Sequence, residues 1–117
     1  RLINMPEETF QSIATKEMLL GALTTPIKMK KLTGTTGASE NDATSMAHGL
    51  TVGKIIATHV QIDDDSAVQI PPAYTDTAGR EYYYFVDGTN VTVNLHATNS
   101  ENLLSNAITV LIIYEAG

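Results

Sequence analysis

The chain of 117 residues has the length of one domain, and a hydrophobic content of 43% is enough to build one core. A formal net charge of −6 argues against nucleic-acid binding, which needs clustered Lys and Arg for phosphate contacts. The lack of cysteine excludes disulfides and cysteine-based zinc sites, and no apolar run reaches the roughly 20 residues that span a bilayer. We therefore expect no nucleic-acid partner and no membrane insertion.

The first 25 residues differ in pattern from the rest of the chain. A proline followed by two glutamates is typical of a helix start, and apolar residues at nearly helical spacing follow it as far as Gly21. We expect a short helix from about Glu7 to Leu20 that packs on a neighbour, because so short a helix is unstable alone. Residues 1–25 are thus predicted to be a helical or stalk-like segment that precedes a β domain at 26–117.

Alternation of apolar and polar residues predicts strands over most of the second region. The stretch TGTTGASENDATS is predicted to be a loop, because Gly, Thr, Ser and Asn dominate it. Turn signals separate the strands and no helix connects them, so we expect an antiparallel β-sandwich. The predicted strands are Ile27–Leu32, Lys54–Ile62, Ala67–Ile70, Glu81–Asp87, Asn90–Ala97 and Ala107–Tyr114.

Within the second of these strands, alternation places Ile56 on the same face as Thr58, Val60 and Ile62. The opposite face is predicted to carry Ile55, Ala57, His59 and Gln61.

Four of the seven aromatic residues of the chain are consecutive, in the sequence YYYFVDGTNVTVNL. Asp-Gly-Thr-Asn suits a tight hairpin turn in which Gly88 takes a positive φ. A two-residue loop of Gly88 and Thr89 pairs apolar or aromatic residues with each other on one face, namely Val86 with Val91, Tyr84 with Val93 and Tyr82 with Leu95. That face is predicted to be the core face.

The same register leaves Tyr83 and Phe85 on the outer face of the hairpin. The last strand, AITVLIIY, likewise has Leu111 and Ile113 opposite its core-facing residues. An antiparallel sandwich normally presents polar outer faces to water, so this apolar surplus requires a cover. The cover is the N-terminal helix, a long loop or another subunit. We predict that Tyr83, Phe85, Leu111 and Ile113 contribute to an oligomer interface.

Candidate chemistry is sparse in this sequence. The run Asp63-Asp64-Asp65-Ser66 can supply oxygen ligands to Ca²⁺, but it lacks the alternating spacing and the glycine of a calcium loop, so an acidic solvated loop is the favoured interpretation. The three histidines form no metal-binding motif, and we expect structural roles for them. Without a nucleophile elbow or a phosphate loop, we predict neither catalysis, nor a metal, nor a cofactor.

A ligand site is better supported than catalysis. Tyr74, Asp76 and Arg80, in the loop PPAYTDTAGR, combine a ring for the apolar face of a sugar with polar groups for its hydroxyls. The loop from Asn99 to Asn106 is a second candidate region. The alternative is that Tyr74 simply anchors its own loop.

Three stretches together resemble the C-terminal domains of tailed-phage fibre and receptor-binding proteins: MAHGLTVGKIIATHVQI, YYYFVDGTNVTVNL, and AITVLIIYEA near the end of the sequence. The resemblance covers about Ala43 to Gly117. It implies a β-sandwich that trimerises around a three-fold axis at a fibre or spike tip, with an architecture similar to that of H-type lectin domains. It also implies exposed loops that contact a host surface, with a host-surface glycan as the ligand.

The function predicted from these observations is non-catalytic attachment to a host by a homotrimer on the outer surface of a virion. The N-terminal segment would contact other virion proteins. Three alternatives remain open. The first is a purely structural virion protein, such as a decoration, head-fibre or tail-adaptor domain. The second is a cellular lectin-like domain, and the third is a small hydrolase with an unrecognised site.

Overall fold

A computed structural model of the chain describes residues 26–116, and these residues form two antiparallel sheets. The predicted mainly β fold is confirmed. The helix predicted from Glu7 to Leu20, and with it the segment 1–25, lies outside the described residues. The strands are β1 (Ile27–Thr35), β2 (Ala43–Ala47), β3 (Ile55–Asp63), β4 (Gln69–Ile70), β5 (Tyr82–Val86), β6 (Asn90–Leu95) and β7 (Ala107–Glu115), and a 3₁₀ turn at Val52–Lys54 precedes β3.

The two sheets differ in size: one has two interior strands and the other has one. The four-stranded sheet has the order β1-β7-β3-β4, and the three-stranded sheet has the order β2-β6-β5. Every neighbouring pair of strands is antiparallel. Strands β7, β3 and β6 are paired on both sides, whereas β1, β2, β4 and β5 are edges.

The core lies between the two sheets, because buried side chains of both sheets belong to one cluster. Two tyrosine hydroxyls cross this core and bind carbonyls of the opposite sheet. The Tyr82 hydroxyl donates to the carbonyl oxygens of Ile70 (2.6 Å) and Val60 (3.2 Å), and that of Tyr84 donates to Thr58 (2.7 Å). The buried apolar residues are Met46, Val60, Ile62, Ile70, Tyr82, Val91, Val93, Leu95, Leu103, Ile108, Val110 and Ile112.

The predicted register of the β5–β6 hairpin is confirmed at every pair from Tyr82–Leu95 to Val86–Val91. The predicted positive φ of Gly88 is wrong, since only Gly49 and Gly79 among the described glycines have one. The Asp87 carboxylate shapes the turn instead: its Oδ1 accepts the backbone N–H groups of Thr89 (2.9 Å) and Asn90 (2.7 Å). This side chain stabilises the turn without a left-handed glycine.

Two predictions about strands need correction. The stretch TGTTGASENDATS is not all loop, because β1 extends to Thr35 and β2 begins at Ala43. Small and polar residues fill β2, and Met46 alone among them is buried, so the apolar alternation is too weak to read from sequence. Ile56 was predicted to share a face with Val60, which is buried, but a bulge between Ile55 and Ala57 shifts the pairing and leaves Ile56 exposed.

The cross-core hydroxyl of Tyr82 generates a stability prediction. Tyr82→Phe should lower the free energy of unfolding by about 1–2 kcal/mol, because the buried carbonyl of Ile70 loses its donor. Tyr83→Phe is the matched control on the same strand, since the exposed Tyr83 makes no hydrogen bond, and it should change stability by less than about 0.5 kcal/mol. Urea titrations at one protein concentration measure both values. Equal losses in the two variants would contradict the bridging role of Tyr82.

Candidate functional site

Arg80, one of the predicted ligand residues, forms a buried ion pair with Asp64. The Arg80 Nε atom lies 2.8 Å from Asp64 Oδ2, and the two side chains are 17% and 3% exposed. Arg80 Nη1 also donates to the carbonyl oxygen of Ala78. The guanidinium therefore makes its hydrogen bonds to groups within the domain.

Asp64 is also the acceptor for the turn that connects β3 to β4. Its Oδ1 atom accepts the backbone N–H groups of Ser66 (2.8 Å) and Val68 (2.9 Å). The hydrogen bond from Arg80, followed by that from Val68, holds the pKa of the Asp64 carboxyl below its usual range. The interpretation of 63–66 as a solvated acidic loop is wrong for Asp64, which is 5% exposed and ties this turn to the loop that carries Arg80.

Tyr74 and Asp76, the other two predicted ligand residues, lie together in the loop between β4 and β5. The Tyr74 hydroxyl donates to Asp76 Oδ2 at 3.3 Å, and the half-buried Tyr74 ring packs against the core. The structure thus joins Tyr74 to Asp76 and joins Arg80 to Asp64, as two separate pairs. A ligand role for Tyr74, Asp76 and Arg80 stays a prediction.

The loop from Asn99 to Asn106 uses several of its polar groups internally. Asn99 Oδ1 accepts the backbone N–H of Gly79 (2.6 Å), and the buried Ser100 hydroxyl donates to the carbonyl oxygen of His96 (2.6 Å). The Asn106 amide donates to Asp65 Oδ1 (2.9 Å). These bonds fix the loop against the neighbouring loops.

His48 is fully buried, and its ring joins the backbone at Leu50 to the backbone at Asp87. Its Nδ1 atom accepts the N–H of Leu50 (3.0 Å), so Nε2 carries the proton that it donates to the carbonyl oxygen of Asp87 (2.9 Å). Lys30 Nζ donates to the backbone oxygen of His48. Sequence reasoning expected a structural role here, and the contacts agree with it. Within residues 26–116, no three His, Asp or Glu side chains are grouped so as to hold a metal ion.

The outer surface of the four-stranded sheet carries four apolar side chains on β1 and β7, next to the charged residues Lys31 and Glu115. Met29 is paired with Ile113, and Lys31 with Leu111, while Ala57 and His59 of β3 continue these two rows. Met29 is 69% exposed, and Leu111 is 37% exposed. We call this surface the aliphatic face, formed by Ile27, Met29, Leu111 and Ile113.

The outer surface of the three-stranded sheet has a different chemistry. Tyr83 and Phe85 are 57% and 46% exposed, and they are paired with Asn94 and Thr92 of β6. The Ser45 and Thr92 hydroxyls bind each other (3.0 Å), whereas Asn94 Oδ1 is buried and has no hydrogen-bond partner. We call this surface the aromatic face, formed by Ser45, Tyr83, Phe85, Thr92 and Asn94.

These positions separate the four residues predicted to share one oligomer interface. Tyr83 and Phe85 belong to the aromatic face, and Leu111 and Ile113 belong to the aliphatic face. Because the sheets pack against each other through their inner surfaces, the two faces point away from the core in opposite directions. The four side chains therefore do not form one continuous patch.

A shallow cleft of about 250 Å³ opens beside the end of β7. Thr51, Lys54, Tyr114 and Glu115 contribute its polar groups. Its volume is below the range of about 300–1,000 Å³ that is typical of small-molecule sites.

No protein-family model, curated protein sequence or solved structure matches this chain. Within the part of the chain that the structure describes, no helix has the length and apolar character required to cross a membrane. The candidate sites are therefore judged on their geometry.

The buried Asp64–Arg80 pair predicts a specific dependence of stability on pH. Because the folded-state pKa of Asp64 is depressed, its contribution is fully present above the ordinary carboxyl pKa of 3.8 and is lost as the pH falls through the lower folded value. Asp64→Asn should therefore be less stable than the wild type at neutral pH and should lose less of its remaining stability on acidification. Urea midpoints measured at a series of pH values test this. Parallel curves for the two proteins would contradict it.

Proposed function

We propose that this chain is a non-catalytic attachment domain that works as a homotrimer on a virion fibre or spike. The observation that carries the proposal is the apolar character of outer sheet surfaces that an isolated sandwich would normally present to water as polar faces. The assignment to a virion is supported by the motif resemblance of Ala43–Gly117 to phage fibre tips. The location on the outer surface of the virion follows from the same resemblance.

The aliphatic face is the surface that self-association would cover. Met29 and Ile113 are paired with each other, whereas Ile27 is paired with Glu115 and Leu111 with Lys31. Neighbouring copies would therefore cover an apolar strip that has charged side chains beside it. Removing apolar surface from water contributes about 25 cal/mol per Å², so burying side chains such as Met29 and Leu111 favours assembly. Of the predicted interface residues, Leu111 and Ile113 belong to this strip.

The titratable groups support a non-catalytic role. Asp64 and Asp87 both have a lowered pKa, and hydrogen bonds explain the shift in each case. Arg80 and the N–H of Val68 stabilise the charged form of Asp64, while the N–H groups of Asn90 and Thr89 stabilise that of Asp87. These carboxylates hold turns in place, which is a structural use of a perturbed group.

One observation favours a purely structural virion protein as the second candidate. Arg80, Asn99 and Asn106 would be natural ligand groups in exposed loops, but each is bound within the domain. A decoration, head-fibre or tail-adaptor domain would need stable loops of this kind without a ligand. A cellular lectin-like domain would have the same structural requirements as the attachment domain. It would differ from that domain only in its source. In the attachment proposal, residues 1–25 would contact other virion proteins.

Assembly is tested by mass in solution. We expect light scattering after size exclusion to give three times the chain mass of 12.6 kDa. Leu111→Ser with Ile113→Ser should raise the dissociation constant at least about tenfold, because each change removes apolar surface worth about 1.5–3 kcal/mol when buried. Thr109→Ser, on the same outer side of β7, is the matched control and should keep the trimer. A wild type of one-chain mass would overturn the assembly proposal.

Attachment is tested separately from assembly. A folded trimer should bind host cells or an array of surface glycans. Tyr74→Leu with Asp76→Ala should weaken this binding if the predicted loop is the site. Arg80→Ala is unsuitable because it leaves the buried Asp64 carboxylate without its partner. A trimer that binds neither cells nor glycans would favour the structural role.

A further inference from the structure

The aromatic face places two rings beside polar groups at regular spacing. Tyr83 and Phe85 are alternate residues of the edge strand β5, so their side chains project from the same side about 7 Å apart. The register puts Asn94 next to Tyr83 and Thr92 next to Phe85. Each ring therefore has a polar side chain of the neighbouring strand at its side.

We propose that this face binds a neutral carbohydrate through its pyranose rings. The inference rests on the attachment function proposed above and gives it a ligand class and a location. The site consists of Tyr83 and Phe85 as the stacking surface and Asn94 as the hydrogen-bonding group. It differs from the loop site predicted from the sequence, which contained Tyr74, Asp76 and Arg80.

The exposure of the two rings suits stacking against a sugar. Tyr83 is 57% exposed and Phe85 is 46% exposed, so about half of each side chain is open to a ligand. A pyranose ring has an apolar side made of C–H groups and a rim of hydroxyls. Aromatic rings with a polar neighbour match that division, since they cover the apolar side and leave the rim to hydrogen bonds.

Asn94 supplies a second, independent observation. Its Oδ1 atom is buried on this face and accepts no hydrogen bond, which is unusual because buried polar groups are nearly always paired. Tyr83 is the cross-strand partner of Asn94 and is exposed, so a change of its rotamer on binding would open the amide to a ligand hydroxyl. Binding would then give a donor to an acceptor that lacks one in the free protein. The hydroxyls of Ser45 and Thr92 already bind each other.

The charge distribution selects a neutral sugar. Glu81 and Asp87 flank β5 at its two ends; Glu81 Oε2 lies 3.6 Å from His96 Nε2, and the Asp87 carboxylate accepts the N–H groups of its own turn. The chain as a whole carries a formal charge of −6. This net negative charge disfavours sialic acids, uronic acids and other anionic sugars.

The opposite directions of the two apolar faces explain why the aromatic face is free for a ligand. If one copy packed its aliphatic face on the aromatic face of the next, the contact would be head-to-tail between surfaces on opposite sides of the domain. Such a contact repeats and produces a filament unless its rotation closes a ring. A closed trimer built on the aliphatic face leaves Tyr83 and Phe85 accessible.

The test uses the assembled protein of 117 residues, labelled with ¹⁵N for amide NMR. The probes are the methyl glycosides of glucose, galactose and mannose, with glucuronic acid as the anionic comparison. We expect the side-chain amide of Asn94 and the backbone amides of Tyr83, Phe85 and Thr92 to shift with at least one neutral glycoside, while glucuronic acid shifts none of them.

Two variants separate a binding role from a structural one. Asn94→Leu removes the unpaired acceptor, so its urea midpoint should stay equal or rise while the dissociation constant increases about tenfold, the effect of one lost hydrogen bond. Tyr83→Ser with Phe85→Ser should abolish the shifts and leave the solution mass unchanged. Thr109→Ser, on the outer side of the other sheet, is the control and should bind like the wild type.

The outcomes distinguish this inference from the function it deepens. Shifts confined to the loop of Tyr74, or no shifts with any neutral glycoside, would overturn the carbohydrate site. Unchanged affinity in Asn94→Leu and in the double serine variant would also overturn it, even if the trimer binds cells. A protein of one-chain mass that still loses sugar binding in these variants would uphold the site and overturn the proposed assembly. A fall in mass in the double serine variant would instead identify the aromatic face as a subunit interface and overturn the site.

Discussion

The rest of this domain depends on the burial of one side of β6 and one side of β7 in the shared core. Strand β6 contributes Val91, Val93 and Leu95, and β7 contributes Ile108, Val110 and Ile112, all of them at most 2% exposed. Because strand side chains alternate, burying one side of β6 and β7 forces the other side outward. The exposed rings of the aromatic face and the exposed aliphatic strip are direct consequences of this packing.

The same alternation explains which parts of the structure were predictable from the sequence. The hairpin register and the buried side of β7 were correct, because many apolar residues repeat with period two there. The pattern failed at β2, whose small polar residues leave Met46 as its single buried apolar residue, and at Ile56, where one inserted residue reverses the alternation. The turn sequence was misleading at Gly88. The carboxylate of Asp87 stabilises the turn there, so the positive φ that glycine usually provides is not needed.

The candidate sites show a further limit of a single sequence. Alternation identified Tyr83, Phe85, Leu111 and Ile113 as outward residues, but it does not tell which sheet a strand joins. The four were therefore grouped on one surface, although the sheet order separates them. The pairing of Arg80 with Asp64 and the missing partner of Asn94 depend on contacts between distant segments, and no local pattern signals them.

The position of β7 has a consequence for how the domain is made. It is the last of the described strands in the chain and lies between β1 and β3, which do not pair with each other. During synthesis, β1 has no partner strand and β3 has one unpaired edge until β7 leaves the ribosome. Most of the four-stranded sheet then forms through contacts between residues far apart in sequence, which makes folding slow and exposes the early strands to aggregation. A chaperone would have its greatest effect in that interval.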